Sequence, residues 1–264
     1  MRYRELGKTG LSVSEIGLGG EWLERHDTKE VKAVIDRCED LGINILDCWM
    51  SQPQVRSNIG AAIAGSRERW IIQGHIGSTW QNGQYVRTRD LEQVKIAFQD
   101  LLDRMGTDYI DLGMIHFVDE KAEFERIMNG EFIEYVRSLK EKGVIRHIGM
   151  STHNPDVAKM AALSGEIEML LFSINPAFDL LPASEDLNEY FKETYAEQLS
   201  GIPPAGGAVQ AVRAAGRGHH RDEGLCRRPF VPGGNLSFWC GADSCAVSAL
   251  CADASCGCQC DGWF

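Results

Sequence analysis

Short apolar runs alternate with amphipathic stretches along the first 175 residues or so of the chain. "VSEIGLGG", "INILD", "RWIIQGHIG", "YIDLGMIH", "IRHIGMS" and "IEMLLFSIN" read as strands. Between them, "TKEVKAVIDRCEDLGI", "RSNIGAAIAGS", "RDLEQVKIAFQDLLDRMG", "FIEYVRSLKEKG" and "PDVAKMAALSG" carry apolar residues at helical spacing. Gly106 supplies a usual helix stop, and Pro155 a favoured first helical residue. "KAEFERIMNGEF" reads as a solvated helical face.

Strict alternation of strand and helix predicts a parallel sheet with right-handed crossovers, either doubly wound or closed into a barrel. A doubly wound fold usually opens on a Gly-rich phosphate loop, which "GLGGEW" matches poorly. About six β/α units, each about 30 residues long, match the pitch of a (β/α)8 TIM-type barrel, here incomplete. The predicted strands end in Asp47, His75, His116, Ser151 and Asn175. In a barrel, those ends face the active site.

Composition adds exclusions. A formal charge of −11 over 264 residues argues against a nucleic-acid partner, whose binders need a basic face. "MRYRELGKTG" lacks the apolar core of a signal peptide, and no run is long enough to span a bilayer. A cytoplasmic protein with reduced thiols is the expectation. The composition changes near Gly201. Residues 201–264 contain no Lys, Met, Thr or Tyr, only one Ile, and Cys226, Cys240, Cys245, Cys251, Cys256, Cys258 and Cys260. The chain therefore divides into a barrel portion, 1–200, and an aberrant, disordered tail, 201–264.

Together, "YRELGKTGLSVSEIGLGG", "GINILD", "IGAAI", "LLDRMGTDYIDLGMIH" and "LKEKGVIRHIGMS" resemble the aldo-keto reductases from Met1 to about Asn175. The resemblance implies a hairpin plugging the barrel floor. It also implies an NADP(H)-dependent oxidoreductase acting on a small-molecule aldehyde or ketone. Such a reaction moves hydride to a carbonyl carbon while charge builds on its oxygen. A Tyr gives that oxygen a proton, a Lys paired to an Asp lowers the Tyr pKa, and a His orients the carbonyl. Carried over by position, Asp47 matches the Asp and His116 the His. Ser151 matches the residue holding the nicotinamide amide, and Asn175 an Asn after the sixth strand.

Two positions depart. Where the family reads Asp-Thr-Ala-x-x-Tyr-Gly-x-Ser-Glu-x-x-Ile-Gly, this chain reads "DCWMSQPQVRSNIG", so Gln52 fills the Tyr slot with no Tyr close by in sequence. The Lys slot falls on His75. A Gln amide cannot give up a proton, whereas a His titrates near about 6.5, so His75 is a candidate replacement acid. Trp49 and Trp80 are read as pocket-mouth or surface residues, and Cys38 and Cys48 as buried thiols. Cys48 is also a nucleophile candidate because it adjoins Asp47. A catalytically inactive barrel that binds a nucleotide or small ligand is the alternative function.

The cysteine-rich tail admits a zinc reading from Cys240-x4-Cys245 and Cys251-x4-Cys256, and a poorer iron–sulfur one. A translation-frame change fits better, and no metal is assigned. Read from the second base of each codon, Gly218–Arg228 permits Gly-Ile-Thr-Val-Met-Lys-Gly-Tyr-Ala-Gly-Gly, which resembles a seventh strand and its phosphate loop. The last residues similarly permit a helix and an eighth strand. The expected change lies between Gly201 and Ala208.

Overall fold

The apolar runs become strands and the amphipathic stretches become helices in a computed structural model that describes residues 1–173, 211, 214–215 and 218–222. β1 (Tyr3–Glu5) and β2 (Ser12–Ser14) form an antiparallel hairpin. There follow β3 (Leu18–Gly19), α1 (Thr28–Asp40), β4 (Ile45–Cys48), α2 (Pro53–Ile63) and β5 (Ile71–Ile76). Then come β6 (Ser78–Gln81), β7 (Gln84–Arg87), α3 (Leu91–Met105), β8 (Ile110–Ile115), α4 (Lys121–Met128) and α5 (Glu131–Glu141). β9 (Ile145–Thr152), α6 (Pro155–Leu163), β10 (Met169–Ser173) and β11 (Gly218–Asp222) complete the described elements.

The main sheet runs β3-β4-β5-β8-β9-β10-β11, every pair parallel. Its spatial order follows chain order without reversal, which is the winding of a barrel and not of a doubly wound sheet. Inward-facing Ile45, Leu112, Met114, Met169 and Leu171 form one core cluster with Leu6 and Val13 of the N-terminal hairpin. Ile45 and Leu171 stand on strands four places apart, and curling of the sheet brings both into that cluster. Asn44, just before β4, accepts the Ser14 N–H at 2.7 Å. The hairpin therefore plugs the end of the barrel where the strands begin, as the resemblance implies.

The larger core lies between the sheet and its helices and includes Ile35, Ile59, Phe98, Val136 and Val157. Helix ends follow the local chemistry. Asp27 and Glu30 form a reciprocal capping box at α1, and Asn154 caps α6 ahead of Pro155. Gly106 closes α3 in the left-handed conformation at φ 64°. "KAEFERIMNGEF" is only partly a solvated face, because Phe124 and Ile127 of α4 are buried.

Two features differ from the sequence expectation. "STWQNGQYVR" forms the antiparallel hairpin β6–β7, with Trp80 paired to Tyr85 across it. Within the tail region, Gly218–Asp222 stands as β11, parallel to β10 with Met169 opposite Gly218. The tail cysteines Cys226 to Cys260 lie outside the described residues.

The "IGAAI" motif has a steric cause. A Cβ on Gly60 would lie 2.1 Å from the Arg104 carbonyl oxygen and 2.8 Å from the Met105 Cα, so α2 rests directly on the α3 backbone. Gly60→Ala should destabilise the fold by about 1–3 kcal/mol. Thermal melts should show a loss of several degrees, whereas an unchanged Tm would mean that the helices separate freely. At the β10 entrance, burial alone would raise the Glu168 carboxyl. Hydrogen bonds from His147, Lys140 and the Ile148 N–H instead hold it at about 2. Its contribution is present above the ordinary carboxylate value of 4.5 and is lost as pH falls towards 2. Glu168→Gln should therefore melt below the wild type at pH 7, with the gap closing through that acid window.

Candidate active site

Parallel pairing brings the strand ends together. Asp47 pairs in register with Gln73, two residues before His75, and His75 pairs with Met114, two residues before His116. Alternation along each strand turns all three side chains inward at the carboxyl end of the barrel. His75 Nε2 lies 2.9 Å from Asp47 Oδ1, and its Nδ1 lies 2.7 Å from His116 Nδ1. Asp47 and His75 are each 2% exposed and His116 is 6% exposed.

The chain of polar groups does not end at His116. The Tyr85 hydroxyl lies 2.6 Å from His116 Nε2, delivered by the β6–β7 hairpin. No Tyr near position 52 is needed to bring a phenol to this site. The sequence carries the signal: Asn82-Gly83 is a two-residue turn in which both residues have positive φ, 53° and 80°, the conformation that suits a tight hairpin. Pairing Trp80 with Tyr85 follows from that turn.

Several contacts fix the hairpin over the site. Ser78 donates its hydroxyl to the Trp49 carbonyl at 2.6 Å, and Ser51 donates to the Thr79 carbonyl at 2.7 Å. Buried Arg56 donates to the Met50 carbonyl at 2.8 Å and to the Ala97 carbonyl at 3.0 Å, tying the loop after β4 to α3. Trp49 thereby stacks on His116, with ring centroids 5.9 Å apart and planes at 11°, and meets Tyr85 edge-on at 5.3 Å. Trp49 thus lines the site, while Trp80 is the cross-strand partner of Tyr85 on the hairpin.

Beyond His116, Phe117 takes a left-handed φ of 50°. Its N–H donates to the Ser151 hydroxyl at 2.7 Å, and its carbonyl accepts from Arg87 and Arg89 at 2.9 and 3.0 Å. Ser151, buried at the end of β9, thus braces the loop after β8 and keeps its own hydroxyl hydrogen available as a donor. Gln52 caps α2 by position, without a side-chain capping bond. Asn175 lies outside the described residues.

Burial lowers the His116 pKa well below 6.5, helped by positive charge on His75, Arg89, Arg87 and His153. Burial raises the Tyr85 pKa above 10.0, partly opposed by Arg87 and Arg89. A neutral His116 beside a protonated phenol is the resulting pair. Burial also pushes the Cys38 and Cys48 thiols up to about 12. Cys48 is therefore a core thiol and not a nucleophile. Among the described residues, no group of His, Cys, Asp and Glu is arranged to hold a metal ion. A groove of about 1150 Å3 lined by Arg67, Tyr109, Lys142 and Val144 lies at the opposite, strand-entry end and takes no part in this site.

The depressed His116 pKa has a thermodynamic consequence. The unfolded chain binds a proton near 6.5 that the folded His116 refuses, so stability rises with pH through that region and declines below it. His116→Gln should flatten the pH dependence of denaturant unfolding between pH 5 and 7, roughly the range over which a free His titrates. An unchanged slope would mean that His116 is not the group refusing the proton.

The Aldo/keto reductase family profile matches residues 15–211. The chain is 32% identical over 186 residues to the uncharacterized oxidoreductase YqkF of Bacillus subtilis, covering 69% of this chain and 58% of that protein. It is 26% identical over 192 residues to the L-glyceraldehyde 3-phosphate reductase of Escherichia coli, covering 69% of this chain and 54% of that protein. The chain thus spans somewhat over half the length of these curated relatives. Among solved structures, the holo form of aldo-keto reductase AKR11C1 from Bacillus halodurans superposes with a TM-score of 0.63 at 25% identity, covering 90% of this chain and 73% of that one. The curled parallel sheet, the strand-end groups and the match over residues 15–211 place the chain in the aldo/keto reductase family.

Proposed function

We propose that the protein reduces small aldehydes or ketones, or performs the reverse oxidation, with a nicotinamide cofactor. The observation that carries this reading is the buried line Asp47–His75–His116 at three adjacent strand ends, reaching the barrel mouth at Tyr85. A neutral imidazole and a phenol at the barrel mouth suit a carbonyl oxygen on which negative charge develops. The kinship with a glyceraldehyde-phosphate reductase favours a short, polar aldehyde.

The described residues fit the nicotinamide end of NADP(H). Ser151 retains a donor hydrogen at the end of β9, and Trp49 offers an aromatic wall beside His116. When bound, the cofactor supplies the hydride. Ser151 would hold the carboxamide, His116 would help orient the carbonyl, and Asp47 with His75 would support His116. Asn175 is assigned to the cofactor by resemblance, and the phosphate-binding side falls outside the described residues. NADP(H) is the preferred cofactor on the same resemblance.

A cytoplasmic location with no nucleic-acid partner accords with the acidic composition. Among the described residues, no helix is long and apolar enough to cross a membrane. We also infer a frame change between Gly201 and Ala208 as the origin of the tail. Resequencing codons 195–210 should show that restoring one base extends the frame through apolar strands, and a coding sequence that resists such repair sinks that inference.

The direct test titrates the purified protein with NADPH and with NADH, followed by fluorescence, and then supplies a panel of aldehydes and ketones. NADPH binding and NADPH oxidation dependent on a carbonyl are expected. Binding without turnover would favour a non-catalytic nucleotide-binding barrel, the reading that Gln52 in the Tyr slot supports. Absence of nicotinamide binding would defeat both readings.

A further inference from the structure

We infer that Tyr85 is the proton-donating residue of this site and that Asp47, His75 and His116 form the relay that resupplies it. The inference rests on the carbonyl reduction proposed above and assigns the acid that Gln52 cannot provide. Tyr85 comes from the hairpin inserted after β5, outside the β4–α2 segment that carries the Tyr slot.

Geometry singles out Tyr85 over the other groups. Both ring nitrogens of His75 are engaged inside the protein, one by Asp47 and one by His116. His75 therefore reaches a substrate only through its neighbours. His116 presents Nε2, but the Tyr85 hydroxyl occupies that position at 2.6 Å, and Trp49 covers one ring face. Tyr85 is 38% exposed and is the member of the line that meets solvent. Its ring is held edge-on to both Trp49 and His116, with planes at 83° and 86°, so the phenol is positioned before any ligand arrives.

The hydrogen-bond chemistry allows two complete orders along the line. In the neutral order, the Tyr85 O–H donates to His116 Nε2, His116 Nδ1–H donates to His75 Nδ1, and His75 Nε2–H donates to Asp47. In the charged order, His75 carries a proton on both nitrogens. Its Nδ1–H then donates to His116 Nδ1, and His116 Nε2–H donates to the Tyr85 oxygen. The Tyr85 O–H is thereby freed to point at a substrate oxygen. A positive charge on the histidine pair lies nearest the Asp47 carboxylate when it sits on His75, and burial keeps His116 neutral.

The reductive step balances along this line. A reduced nicotinamide, when bound, would supply the hydride for the new C–H bond as the carbonyl π electrons move to oxygen, and this chain would supply the proton. That oxygen takes the Tyr85 proton, the Tyr85 oxygen takes the His116 Nε2 proton, and His116 Nδ1 takes the His75 Nδ1 proton. His75 ends neutral and still bonded to Asp47, the product is the alcohol, and the nicotinamide is oxidised. One proton from solvent resets His75. The charged groups facing the line are Arg87 and Arg89 beside Tyr85 and His116, His153 beyond Phe117, and Asp47 at the inner end.

Tyr85→Phe keeps the ring against Trp49 and removes only the hydroxyl. With the full-length protein, NADPH and the best carbonyl of the panel, kcat should fall by about 100-fold or more, the usual contribution of a general acid. KM and NADPH affinity should change little, and the alkaline limb of the kcat profile, where a proton donor is lost, should disappear. Activity within about threefold of wild type would overturn the assignment. A readout free of turnover uses 15N-histidine NMR of the unliganded protein. Tyr85→Phe should shift the His116 Nε2 resonance and, through Nδ1, that of His75. Histidine resonances that ignore the substitution would break the relay. Wild-type protein that binds NADPH but reduces no carbonyl would defeat the functional reading and with it the donor role of Tyr85, leaving the NMR comparison to decide the relay alone.

Discussion

Removing three polar side chains, Asp47, His75 and His116, from water in one place forces them to satisfy one another. Asp47, His75 and His116 project into the carboxyl end of a barrel whose floor is packed with Ile45, Leu112, Met114, Met169 and Leu171, and a buried polar group without a partner costs several times what a made hydrogen bond contributes. The line Asp47–His75–His116–Tyr85 is the solution, since each interior nitrogen faces an acceptor or donor within 2.9 Å. The order of its first three members is set by strand register. Asp47, His75 and His116 are staggered by two residues from strand to strand, the step that keeps every side chain on the inner face.

The surrounding scaffold holds that line in place. Arg56, buried among apolar neighbours with its pKa lowered by that burial, uses its charge on the carbonyls of Met50 and Ala97 and on Asp100. This fixes the loop carrying Trp49. Phe117 accepts a left-handed backbone, a cost of about 1–3 kcal/mol for such residues. Ser151 and the two arginines over its carbonyl offset that cost. Strain of this kind is tolerated where neighbouring groups determine the backbone, and here it lies immediately after His116.

Much of the fold was legible because hydrophobic period and strand-end chemistry report the same thing. Apolar runs ending in Asp47, His75 and His116 predict both the parallel sheet and the face on which its polar groups collect. Tyr85 was not legible in that way. A functional group carried by a hairpin owes its position to a two-residue turn and to contacts with a distant loop, and neither leaves a periodic pattern. Asn82-Gly83 announces the turn, but the meeting of Tyr85 with His116 depends on Ser78 and Ser51 binding the loop after β4. Gln52 shows the converse. By position it fills the slot of the family Tyr, whereas the phenol that reaches His116 comes from another element.

β11 shows how little a strand position says about the sequence occupying it. Parallel pairing with Met169–Ser173 uses backbone N–H and C=O groups that every residue but proline carries, so "GHHRD" can take the place beside β10. A barrel strand covered on both faces normally reads as an apolar run, as "MLLFS" does in β10 and "IDLGMI" in β8. "GHHRD" supplies the pairing without the apolar surface. Topology asks for a strand here and packing asks for apolar side chains, and these are separate demands. The polar line at the barrel mouth depends on neither, because Asp47, His75, His116 and Tyr85 all belong to elements that precede the composition change at Gly201.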